Sequence, residues 1–384
     1  MCRGMSASQA GAVAQSKVDS FRTEASDIPH SVDAINNQRI FLRCCLLSLS
    51  VIMLAACGYV AIVTVVDPRQ QLLSTSHIFP AVTPNSRSIK LELFQKYDGE
   101  APVTGLIMGS SSSLKMSPEV FQQITRKRFF NAAVFMGTPR DYLAQYRLLK
   151  GKGAQFDVLI IGIDAIALRE APEWNELKSN WAMQTALDPR RTGPLLKAVH
   201  WMSAYRDTFS AAYAHEVSRS IRAYPRRKSP AMVFVPDGRI DYLGWDLNVA
   251  LYPNRDAAIS SCTDENIGWL STLVISAKQE SALEQLIREA LNDGADIRLW
   301  ITPYHPNFFD RLAKSPTAAG NMGKVRSYLN GLQDRFGTPV FDLSDEASFV
   351  GDREAWYNCS HFRDTNARLV ANMVMGNASN VSVE

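Results

Sequence analysis

From Cys44 to Val66 (CCLLSLSVIMLAACGYVAIVTVV) no residue carries a charge. At ~1.5 Å rise per residue such a run makes roughly 35 Å of helix, enough to cross a hydrocarbon layer of about 30 Å. A soluble core helix of this length would ordinarily carry charge along one face. The run therefore predicts a single transmembrane helix over residues 44–66. Arg39 and Arg43 precede it with no acid between Asn36 and Arg43, and Asp67 follows at once. The positive-inside bias then assigns residues 1–43 to the cytoplasm and everything beyond 66 to the far side of the membrane. A cleaved signal peptide fits less well, because the tail ahead is long and the run exceeds an ordinary h-region. Leu54-Ala55-Ala56-Cys57 matches a lipoprotein cleavage box, but the residues from Gly58 to Val66 stay uncharged and mostly apolar.

Cysteine placement agrees with export. Of the six cysteines in the 384 residues, Cys2, Cys44, Cys45 and Cys57 lie in the tail or the span, and Cys262 and Cys359 lie beyond it. Two cysteines in an oxidising compartment can form one bridge, so Cys262–Cys359 is the expected disulfide, with two buried thiols as the alternative. A net charge of +3 and the lack of a long basic run give no support for a nucleic-acid partner. The six histidines are scattered without ligand spacing, so no metal site is expected, and no cofactor is called for.

Residues 1–38 are polar and without apolar periodicity, as a disordered tail is. Residues 67–96, with Pro80 and Pro84, read as an irregular lead-in. The large domain then runs over 97–384. Its apolar runs Val103–Met108, Phe129–Val134, Val158–Ile163, Ile297–Thr302 and Val340–Leu343 read as five strands. Helices are expected after Ser117-Pro118, from Thr138-Pro139 to about Lys152, over Lys278–Asn292, over residues 321–335 and over Asp364–Met375. This alternation predicts an α/β fold with a doubly wound, five-stranded parallel sheet of flavodoxin-like order. More than a hundred residues separate the third and fourth strands, too many for a plain connection. Residues of about 170–275 are therefore read as a cap insertion, with a long helix over Leu195–Ala223 and a hairpin across Pro236-Asp237-Gly238.

Ligands of open α/β sheets bind beyond the carboxyl ends of the strands. The first strand ends in Gly109-Ser110-Ser111, the second leads to Gly137 at a helix start, and the third ends in Gly162-Ile163-Asp164. Asn358-Cys359-Ser360-His361 comes shortly before the last helix. A serine at a tight strand-to-helix turn is exposed beside free N–H groups that favour an oxyanion, and a histidine from a late loop can serve as its base. Each residue also has a plain structural role: a polar turn for Ser110–Ser113, a cap for Asp164 or His361, a helix start for Gly137. His305, in TPYHPN, is either a cleft residue or a loop residue shaped by its proline neighbour. The basic cluster Arg219, Arg222, Arg226, Arg227 and Lys228 reads as a solvated face or a contact with an anionic glycan or headgroup. Trp174, Trp181, Trp201, Tyr242 and Trp245 read as core packing or sugar stacking.

In order and placement these blocks resemble the SGNH (GDSL-type) hydrolases, and within them the membrane-anchored acyltransferase-like branch that acts on envelope polysaccharides. The resemblance covers about residues 100–165 and 295–375, and Asp67-Pro68 after the span is also similar. It implies Ser111 as nucleophile, His361 as base, Asn358 as the group orienting His361, and the N–H groups of Ser111 and Gly137 as the oxyanion hole, with Ser110 and Asp164 beside it. Two positions depart from the family pattern. Asp164 stands where the family has an asparagine donor, and Asn358 stands where it has the orienting acid. The implied activity is a serine esterase or O-acyl (acetyl) transferase acting on an exported polysaccharide at the bacterial inner membrane, facing the periplasm. A membrane-bound acyltransferase is a possible partner. The alternative is an inactive scaffold or glycan-binding subunit of a polysaccharide assembly complex. A nucleotide-binding domain is disfavoured because no glycine-rich Gly-x-Gly loop follows a strand.

Overall fold

Uninterrupted apolar sequence forms one helix, α1 (Val32–Val66), of which Asn37–Val66 is long and apolar enough to cross a membrane. The helix begins well before the apolar run, so residues 32–38 are helical rather than irregular. It ends where Asp67 takes a left-handed backbone (φ 33°) ahead of Pro68, which cannot continue a helix. The computed structural model describes residues 32–69, 79, 85–171, 175–191, 193–224, 232–242 and 254–376. The tail before 32, Pro80, Pro84, Trp174, Trp245 and the basic residues 226–228 lie outside the described residues.

In the large domain, α2 (Ser86–Glu100) precedes β1 (Gly105–Met108), α3 (Pro118–Thr125), β2 (Phe129–Asn131), α4 (Pro139–Gly151) and β3 (Val158–Ile163). Among the described residues five helices and a hairpin follow: α5 (Asn175–Ser179), α6 (Trp181–Leu187), α7 (Pro194–Arg206), α8 (Ala211–Ala223), β4 (Val233–Phe234), β5 (Ile240–Asp241) and α9 (Arg255–Ser271). The main fold resumes with α10 (Ala277–Asn292), β6 (Asp296–Ile301), α11 (Pro306–Leu312), α12 (Pro316–Phe336), β7 (Val340–Asp342) and α13 (Asp364–Val374). The sheet order is β2-β1-β3-β6-β7, with every pair parallel. Counting only sheet strands this is 2-1-3-4-5, whose switch point falls between β1 and β3.

Strand alternation explains the two-sided cover. Leu159, Ile161 and Ile163 of β3 enter one core with Phe94 of α2, Tyr142 of α4, Leu286 of α10 and Leu329 of α12. Val158 and Ile160 point the other way, into a core with Phe121 of α3 and Val370 of α13. Each such apolar side chain contributes about 1.5–3 kcal/mol when fully buried.

Two further expectations need correction. The lead-in holds a regular helix, α2, which its weak apolar periodicity hid. The stretch Leu195–Ala223 is two helices, α7 and α8, separated by a 3₁₀ turn (Asp207–Phe209) and by Ser210, whose side chain caps α8 by accepting from the Tyr213 N–H. A competing local hydrogen bond of this kind breaks a helix that apolar content alone would extend.

Candidate active site

Three strand ends meet because their glycines leave no room for a side chain. A Cβ on Gly137 would stand 2.6 Å from the Gly109 carbonyl oxygen, and one on Gly162 would stand 2.3 Å from Ser113 Oγ. This close approach brings the loops after β1, β2 and β3 to one rim. There a cavity of about 160 Å³ opens, with Ser110, Ser111, Gly137 and Asp164 on its wall. The loop before α13 adds Asn358, Ser360 and His361. The insertion closes the remaining side with Cys262, Glu265, Asn266 and Trp269 of α9. All six residues named above as catalytic or oxyanion residues therefore face one space.

Ser111 opens a 3₁₀ turn (Ser111–Ser113) directly after β1 and is half-buried. Its N–H has no hydrogen-bond partner among the described residues. The loop is held from β2. Asn131 Nδ2 donates to the carbonyls of Ser113 and Met116 (2.9 Å each), and its Oδ1 accepts from the Ala133 N–H (3.0 Å). Gly137 differs from its expected role. Its N–H donates to the Val134 carbonyl (3.1 Å), closing a turn in which Met136 adopts φ 49°. That N–H is already engaged, so the proposed oxyanion donor that stands free is Ser111 N–H.

Behind the turn, Thr138 and Asp141 form a capping box at the start of α4. Asp141 in turn accepts two hydrogen bonds from buried Arg87 of α2 (2.8 and 3.2 Å), whose third bond goes to the Phe135 carbonyl (3.0 Å). The helix missed in the lead-in thus braces the second loop of the site.

His361 is positioned by Asn358. Asn358 Oδ1 accepts from the backbone N–H of Ser360 (3.0 Å) and of His361 (2.9 Å), and lies 2.9 Å from His361 Nδ1. Backbone N–H groups only donate, so the atom facing them is the amide oxygen and not its NH₂. An oxygen acceptor at Nδ1 fixes the proton there and leaves Nε2 as the basic nitrogen. Ser360 Oγ also sits 3.3 Å from Nδ1. Burial, without a charged partner, pushes the His361 imidazole down from 6.5 to about 4. Ser111 and His361 are not hydrogen-bonded to one another among the described residues; in unliganded sites such catalytic bonds are often long.

Cys359, within the same loop, is joined to Cys262 of α9 by a disulfide with Cα atoms 5.5 Å apart. The Cys359 carbonyl also accepts from the His305 N–H (2.8 Å). His305 itself stays off the cavity wall. Its Nδ1 accepts from the Asn307 N–H at the start of α11, and its ring packs edge-on to Trp356.

Asp164 is buried below the serine turn. Its Oδ1 accepts from Tyr304 Oη (3.0 Å) and the Ile166 N–H (3.3 Å), while Oδ2 faces the hydroxyls of Ser110 (3.4 Å) and Ser112 (3.5 Å). Burial raises its carboxyl above the usual range, and these donors oppose the rise. Tyr304 and Asn131 were not anticipated. Their signal was only their position at the ends of β6 and β2.

No known protein-family model matches the chain, and no curated protein matches it either.

Proposed function

We propose that the chain is a membrane-anchored, SGNH-like serine esterase or O-acyltransferase that moves acyl groups, acetyl above all, on an exported polysaccharide. The observation that carries this reading is the Asn358–His361 pair facing the same cavity as Ser111, with the amide oriented to hold the proton on Nδ1. In the proposed reaction, Ser111 Oγ attacks the ester carbonyl while its proton passes to His361 Nε2. The oxyanion lies at the Ser111 N–H. Collapse of the tetrahedral species breaks the ester C–O bond, and the leaving alkoxide takes the proton from Nε2. Water or a sugar hydroxyl then gives its proton to Nε2 and attacks the acyl carbon; the acyl–Oγ bond breaks and Nε2 returns the proton to Ser111 Oγ. The anchor faces its domain outward, to the periplasm in a bacterium, where the disulfide and an exported glycan are compatible.

The exchange of an acid for Asn358 is less damaging here than in the serine-protease triad, where it costs about 10⁴ in kcat through the wrong tautomer. Two backbone donors hold the Asn358 amide in the orientation that supports the right tautomer. What the amide lacks is the charge that would stabilise an imidazolium. That lack, with the lowered His361 pKa, favours the second reading, an inactive scaffold or glycan-binding subunit.

Intact-mass analysis after fluorophosphonate treatment separates the two. A single adduct, lost in Ser111→Ala, is expected. Absence of labelling under conditions that modify a control esterase would leave the scaffold reading standing.

A further inference from the structure

A second cavity, of about 630 Å³, adjoins the one that holds Ser111. Ala171 and Gln279 line both, and the Arg140 N–H donates to Gln279 Oε1 (3.2 Å). Its size falls within the roughly 300–1,000 Å³ of pockets that take small ligands. The proposed reaction uses none of its side chains.

Its wall is positive. Among the described residues it carries four lysine and arginine side chains against one carboxylate, Glu170, which follows β3. Each cation comes from a different segment: Arg140 from α4, Lys178 from α5, Arg191 from the turn after α6, and Lys278 from α10. Lys178 and Lys278 are exposed, and neither ammonium has an ion-pair or hydrogen-bond partner among the described residues. Arg191 Nη1 donates to Gln184 Oε1 (3.2 Å), and its Nε lies 3.6 Å from Asp188. Arg140 has a partner of its own. Like charges gathered around a concavity with low-dielectric walls concentrate their potential on whatever enters it. Half-buried Trp181 and His200 stand in the same wall, edge to face with centroids 5.1 Å apart. Flat rings beside point charges suit a ligand that is apolar on one face and charged at its rim, as a sugar bearing an anionic group is.

We propose that this second cavity is a subsite for an acidic glycan. An anionic group on the sugar chain pairs with Lys178, Lys278 and Arg191, while a neighbouring sugar presents its ester to Ser111 across the shared wall. With Ser111 as the reacting group, the reading on which this subsite rests, the polysaccharide is an anionic one. Carboxylate on the sugar ring and phosphate between rings are the two sources of that charge.

Calorimetry on the detergent-solubilised full-length chain tests this with hexagalacturonate, a phosphomannan oligosaccharide and neutral cellohexaose. It is run at low ionic strength, where exposed charges are least screened. An acidic probe should bind, and cellohexaose should bind about tenfold more weakly or not at all. The tighter of the two acidic probes tells carboxylate from phosphate. Lys178→Glu with Lys278→Glu should weaken that probe on the order of tenfold or more. Lys178→Gln with Lys278→Gln, which removes charge and adds none, should lose less. Lys152→Glu, just past the far end of α4 from Arg140, should bind as wild type does. Failure of both acidic probes to bind, equal binding of cellohexaose, or wild-type affinity in the charge-reversed chain overturns the subsite. Bound acidic probe should also slow fluorophosphonate labelling of Ser111, and unslowed labelling overturns the placement beside it. If no sample labels while charge-dependent binding persists, the esterase reading falls and the acidic-glycan site stands, as a scaffold would keep it.

Discussion

His361 carries its proton on Nδ1 because the oxygen of Asn358 is the only amide atom that two neighbouring N–H groups tolerate. This sets the pH behaviour of the proposed chemistry. The base works in its neutral form, and burial moves its pKa down from 6.5 to about 4. Lowering the pH from 7 therefore leaves the base competent until about pH 4, so the acid limb of kcat/KM falls there and not near 6.5. Asn358→Asp places a carboxylate beside Nδ1, which favours the imidazolium and raises the pKa. In that variant the acid limb should move up by about one unit or more, and the plateau should rise on the order of tenfold. A pH–rate series on both proteins checks this; an unshifted limb would separate His361 from the base role. Asp164 shows the limit of reading such positions singly. Set against the pattern the chain resembles it looks like a lost donor, yet in the fold it is an acceptor that gathers Tyr304, Ile166 and two serines beneath the turn that carries Ser111.

At the scale of elements, the site depends on two braces that come from outside the five-stranded core. The first is α2, whose buried Arg87 is paired with buried Asp141 at the start of α4. Removing one partner of such a pair strands a charge in a low-dielectric interior, at a cost of about 3–5 kcal/mol. Asp141→Ala should lower stability by that amount in a denaturant titration and release the Thr138 cap at the same time. Asp141→Asn keeps an acceptor and should lose less. The second brace is the disulfide from α9 to the His361 loop, which closes a sequence separation of 97 residues. A native cross-link of this kind typically contributes about 2–4 kcal/mol, chiefly by restricting the unfolded chain. Reduction, or Cys262→Ser with Cys359→Ser, should lower Tm by roughly 5–10 °C. It should also reduce fluorophosphonate labelling of Ser111 more than that of a control serine hydrolase treated alike.

Among the described residues, one helix is fit for a bilayer and one doubly wound domain follows it. Its anchoring is directly measurable. The full-length chain should stay with membranes through a high-pH carbonate wash and dissolve only in detergent. A chain starting at Asp67 should lose that resistance, because the helix long and apolar enough to cross a membrane ends at Val66. Retention of the shortened chain through the wash would place a further anchor in the large domain.

Much of this architecture is written in local pattern. The uncharged run, the five apolar strands, the proline-led helix starts at Pro118 and Pro139 and the hairpin at Gly238 all show in short stretches. Each depends on the 2.0 or 3.6 residue period or on a single backbone preference. The strand-end rule likewise pointed to Ser111, Asp164 and His361, because parallel sheets present their loops at one edge. The rest was decided by contacts between residues far apart in the chain. No local pattern marks the Val134 carbonyl as the partner that occupies the Gly137 N–H. None tells that Arg87 will find Asp141, or that α9 will close the cavity behind Cys262. Nor does any pattern give the amide of Asn358 its orientation, which follows only when the loop folds Ser360 and His361 back onto it. Such pairings exist because packing the glycines of three strand ends leaves polar groups where water cannot reach, and each must find its partner there.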